Sequence, residues 1–128
     1  MLIRQFREKQ MAYFDFMVVP VPKAKLAAYR TLVKKSAEMW KRCGAVAYVE
    51  AMGDDVKPGK VTSFPQSVKL KADEVVVCAY IIFESKAHRN KVWKKVMQDP
   101  FMKDVDWKKV PFDGKRMFYG GFKQLGGF

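Results

Sequence analysis

The sequence predicts an α+β fold, a four-stranded antiparallel sheet with two helices on one face, and three observations carry that expectation. Strand-like stretches recur four times, two helical periodicities separate them in the order βαββαβ, and no repeat or composition break divides the 128 residues into more than one domain. With 49% hydrophobic residues the chain has the apolar material for one core.

The first strand is expected from Ala12 to Val21, where Tyr13, Phe14, Asp15, Phe16, Met17 and Val18 alternate before Pro20 and Pro22 interrupt. From Lys23 to Arg42, Leu26, Tyr29, Val33, Ala37 and Trp40 recur at the spacing of one helical face, with Arg30, Lys34, Glu38 and Lys41 on the other. Gly44 is a natural stop for that helix. Ala45 to Met52 reads as the second strand and ends at Gly53-Asp54-Asp55. Its alternation places Ala45, Ala47, Val49 and Ala51 on one face, suited to close helix packing, and Val46, Tyr48, Glu50 and Met52 on the other.

Residues 56–73 form a long connection with room for a helical turn. Glu74 to Phe83 is the clearest strand, and Ser85 is placed to cap a helix from Lys86 to Gln98, which Asp99-Pro100 ends. Phe101 to Val110 reads as a short helical or irregular connector. After the Asp113-Gly114 turn, Lys115 to Lys123 supplies the fourth strand, with Arg116, Phe118 and Phe122 on one face and Lys115, Met117 and Tyr119 on the other. This order is that of the ferredoxin-like plait.

Two helices cover only one side of such a sheet. The other side, rich in aromatic and β-branched residues, is expected to be covered by a second copy of the chain in a homodimer.

Composition excludes several classes. Lys+Arg 25 against Asp+Glu 13 gives a net charge of +12, which brings nucleic acid into consideration as a partner. The third strand, however, lacks the basic-Gly-aromatic run of an RNA-recognition module, and the lysines spread over the helix backs. Nucleic-acid binding through the basic surface therefore remains only the second alternative. No apolar run is long enough to span a membrane, and Cys43 and Cys78 lack metal or redox spacing, so a cytoplasmic protein with reduced thiols is expected. His88 is the only histidine, Asp54-Asp55 reads as a turn, and Gly120-Gly121 opens no helix; no metal and no cofactor is predicted. Met11 is a second candidate start, which makes residues 1–10 a leader ahead of a domain at 11–128. The other reading of the leader is a short arm packed on the domain.

Charged residues in apolar settings supply the candidate site. Arg89 falls inside the expected buried arc of Val92, Trp93, Val96 and Met97, and a buried guanidinium needs a carboxylate or an anionic ligand. Asp15, Glu50 and Arg116 lie in strands of the same sheet, so two carboxylates and two guanidiniums are candidates to converge. One reading is a structural ion pair. The other is a cavity for a small polar or anionic ligand oriented by Arg89 or Arg116.

Several separated blocks resemble one family: Pro111 to Phe122, Gly53-Asp54-Asp55-Val56, Gly59-Lys60-Val61-Thr62-Ser63-Phe64, Ser85-Lys86 with Arg89, and Asp99-Pro100 with Met102-Lys103. The chain resembles the YbaA-like family of uncharacterised bacterial proteins from Met11 onward. Ile82 and Glu84 depart from the family pattern, and the helix faces are more basic. The resemblance implies the dimeric α+β barrel superfamily, in which two sheets enclose a small-molecule cavity. It also implies the alternative of a cofactor-independent oxygenase or isomerase; the residues that would serve such a reaction are Asp15 or Glu50 as a base, given a desolvated carboxylate, and Tyr48 or Tyr119 as hydrogen-bond donor to an oxyanion. Whether the chain is an enzyme stays open in the sequence.

Overall fold

The computed structural model describes residues 11–128, so the expectations for residues 1–10 lie outside the described residues. Its elements are β1 (Tyr13–Pro22), a 3-10 turn (Lys23–Lys25), α1 (Leu26–Cys43), β2 (Ala47–Met52), the single turn α2 (Phe64–Ser67), β3 (Glu74–Phe83), α3 (Lys86–Gln98), the short α4 (Pro100–Asp104) and β4 (Phe118–Lys123). The sheet is antiparallel in the order β2-β3-β1-β4. This is the ferredoxin-like arrangement, with α1 and α3 packed side by side on one face.

Local chemistry accounts for the boundaries. Ser85 caps α3 by accepting from the His88 N–H, and Asp99 ends α3 and caps α4 by accepting from Phe101 N–H. Gly44 ends α1 in the left-handed region at φ 103°, its N–H donating to the carbonyls of Trp40 and Lys41. Pro20 is tolerated in a central strand because β4 pairs β1 only as far as Val18; beyond it, β1 is an edge, where a missing N–H breaks no ladder bond.

Under the helices lie two clusters. Met39, Trp40, Cys43, Phe83, Val92 and Val96 fill one, and Val19, Val21, Tyr29 and Val77 fill the other. Residues 53–73 fold back over part of the opposite face, where Val68 buries itself against Val18 and Val76. The rest of that face stays open.

Three expectations change. β2 has the expected alternation but presents the other parity: Tyr48 and Glu50 point toward the helices, while Ala47, Val49 and Ala51 lie on the open face. The reason is Tyr29 on α1, which supplies Glu50 with a hydrogen-bond donor that a dry open face lacks. Met97 is exposed on α3 and does not join the buried arc of Val92 and Val96. β4 starts at Phe118, so Arg116 belongs to the turn before it and shares no strand face with Phe118.

The space around Gly44 is open enough for a methyl group, so Gly44→Ala isolates the conformational term. It should lower unfolding stability by about 1 kcal/mol, measured by urea titration, with the circular-dichroism spectrum unchanged.

Candidate functional site

The polar groups inside the fold are organised around buried and half-buried carboxylates. On the helix face of β1, Asp15 is buried beneath α3. Arg89 donates to it twice, Nε to Oδ2 at 3.0 Å and Nη2 to Oδ1 at 2.8 Å, and the Trp93 indole N–H adds a third bond at 2.7 Å. This bidentate fork neutralises the charge in place. The guanidinium also lies over the Tyr13 ring, 5.6 Å from its centroid. Tyr13 in turn lies across Gly121 of β4, where an added Cβ would come within 2.5 Å of the phenol oxygen, so only glycine permits this approach.

Glu50 sits on the edge strand β2, one strand beyond β3, and receives both phenols, Tyr29 from α1 and Tyr48 from its own strand. Burial, reinforced by the Glu50 charge, pushes both tyrosine hydroxyls far above their ordinary range. The two phenol protons therefore stay on oxygen and point at the carboxylate.

Arg116 stands at the other end of the sheet. Its Nη1 and Nη2 grip Glu74 at 2.8 and 2.6 Å, and its Nε donates to Asp113 at 2.8 Å. Nη1 also reaches the carbonyls of Val68 and Lys69 at 3.2 and 3.1 Å. Lys69 holds a left-handed backbone, φ 49°, at that point of the long loop. The hydrogen bonds from Arg116 are the chief reason that the Glu74 and Asp113 carboxyls lie below the ordinary carboxylate range.

The predicted residues thus separate into three places. Asp15 and Arg89 meet; Glu50 and Tyr48 meet each other and Tyr29; Arg116 meets neither group. Tyr119 stands exposed on β4.

A fourth cluster has no counterpart in the sequence reading. Arg42 at the end of α1 donates to Asp99 through Nε at 2.8 Å and Nη2 at 2.7 Å, with the Cys43 thiol 3.8 Å away. The partners are far apart in sequence. Their only local signal is the Asp-Pro step, which reads as a helix stop.

The family model described as a protein of unknown function (DUF1428) matches residues 12–114. The uncharacterized protein YbaA of Escherichia coli (strain K12) is 44% identical over 115 residues, covering 90% of this chain and 97% of the relative. The chain belongs to this family. YbaA of Shigella flexneri is similar to the same degree. Among solved structures, a dimeric ferredoxin-like protein from an uncultured marine organism is similar at a TM-score of 0.55 and 11% identity, covering 91% of this chain and 95% of that one. That likeness establishes the fold alone.

Two measurements follow from the carboxylate clusters. Arg89→Met leaves Asp15 buried with only the indole donor and should destabilise by about 3 kcal/mol, whereas Asp15→Leu combined with Arg89→Met should recover most of the loss in urea titrations. The Glu74 carboxyl is depressed in the folded state, so its contribution is full above its unfolded value of ~4.3 and disappears as pH falls through the lower folded value. Acid titration of Glu74→Gln should consequently show a shallower loss of stability below about pH 4 than the parent chain.

Proposed function

We propose that the protein acts as a homodimeric binding module, its two open sheet faces packed against each other around a space for a small apolar ligand. One observation carries this reading. The part of the open face left uncovered by residues 53–73 is a continuous apolar and aromatic surface formed by Phe14, Phe16, Val49, Tyr80, Phe118 and Phe122. Phe16 stacks on Phe14 and meets the Phe122 ring edge-on. The strand residues of this face include no lysine or arginine, and their one acid, Glu74, is neutralised by Arg116. Such a surface favours a dry partner over a phosphate backbone.

Relief adds to the argument. The face is tall on β1 and β4 and low on β2, where Ala47 and Ala51 lie. A twofold axis parallel to the strands sets the tall side of one copy over the low side of its partner, as an isologous contact requires.

Binding is favoured over catalysis by the engagement of the candidate bases. Asp15 is occupied by three donors and Glu50 by two phenols. A cytoplasmic setting belongs to the same reading, supported by the unpaired thiols of Cys43 and Cys78. Among the described residues, no helix is long and apolar enough to cross a membrane.

Light scattering coupled to size exclusion should give twice the chain mass of 14.8 kDa. Phe16→Glu, which places a charge in the middle of the face, should give the single-chain mass with the fold intact. A parent chain that is monomeric at tens of micromolar, or a variant that stays dimeric, overturns the proposal.

A further inference from the structure

We propose that the hollow formed by the connector between α4 and β4 is a binding site for a planar aromatic carboxylate. The hollow has a volume of about 440 Å³, within the range of small-molecule sites. Trp107, Val110, Phe112 and Met117 give it apolar walls, and Lys108 and Lys115 line it with positive charge. It lies away from the open sheet face and does not depend on the dimer.

The walls are held before any ligand arrives. Phe112 and Met117 pack on the cluster of Val19, Val21, Tyr29 and Val77, and the Phe112 ring meets Tyr29 edge-on at 6.1 Å. Asp113, the acid on the wall, accepts from Arg116 at 2.8 Å and from the Lys115 N–H at 3.0 Å. Asp113 shares the single Arg116 charge with Glu74 and stays part-exposed, so the sign presented to a ligand is positive because Lys108 and Lys115 outnumber it on the wall. Arg116 is a positioning residue here: it fixes Asp113 while its own donors are directed to protein oxygens.

Trp107 identifies the ligand class. The residue is 57% exposed, whereas Trp40 is buried and Trp93 is half-buried with its N–H on Asp15. An exposed indole beside a hollow with phenylalanine and methionine walls is a stacking surface for a flat ring. The exposed Lys108 and Lys115 beside it add attraction for a carboxylate at the ring's edge.

The test is a titration of the 15N-labelled full chain with 2-naphthoate at low ionic strength, followed by NMR. Saturable shifts should concentrate on the Trp107 indole and the amides of Lys108, Lys115 and Met117, leaving the Trp40 and Trp93 indoles in place. Trp107→Ala, a change at an exposed position, should weaken binding about tenfold. The neutral analogue 2-naphthamide should bind several-fold more weakly than the acid. Shifts spread over the lysines of α1 and α3, the absence of saturable shifts at millimolar ligand, or equal binding of acid and amide would each overturn the assignment.

Discussion

The bond between Asp15 and Arg89 sets the constraint on which the helix layer depends. A carboxylate near the start of a central strand, facing the core and almost cut off from water, must find its counter-charge in whatever packs above it. That requirement selects the face of α3 that lies on the sheet and fixes its register, because Arg89 and Trp93, one helical turn apart, must both reach the same carboxylate. Consequences extend sideways: Tyr13 lies under the guanidinium, and Gly121 makes room for Tyr13.

The same solution recurs wherever elements join. Arg42 and Asp99 tie the end of α1 to the junction of α3 and α4, and Arg116 with Glu74 ties the long loop to the turn before β4. Because these arginines are committed to internal acids, the positive charge of the described residues is expressed mainly by lysines on the helices and in the loops. The strand residues of the open sheet face include no cation. The molecule therefore divides into a basic, hydrated helix side and a dry aromatic side, and a dry aromatic side calls for a second copy more readily than for a polyanion.

Much of this was legible in the residues. Alternation marked all four strands, Gly44 and Ser85 marked helix ends, and the position of Arg89 within an apolar arc signalled a buried counter-charge. Alternation reveals parity, however, and not which parity meets the helices. On β2 that choice depends on Tyr29 reaching Glu50 from a different element. Extending strand periodicity back to Lys115 placed Arg116 on a strand face, although the Asp113 carboxylate holds it in the turn. The Arg42 and Asp99 pair and the hollow beside Trp107 arise from irregular or distant segments, where no period exists to read.

Internal charge pairs build the subunit, and in the proposed dimer the aromatic sheet face joins two of them. An isotope-filtered NOE experiment on a mixture of 13C-labelled and unlabelled chains tests it most directly, since only contacts between copies give signal. Cross-peaks between the rings of Phe14, Phe16, Tyr80, Phe118 and Phe122 of one copy and the same face of the other are the predicted result. Cross-peaks arising instead from α1 and α3, or none under conditions where the mass is that of two chains, would contradict it.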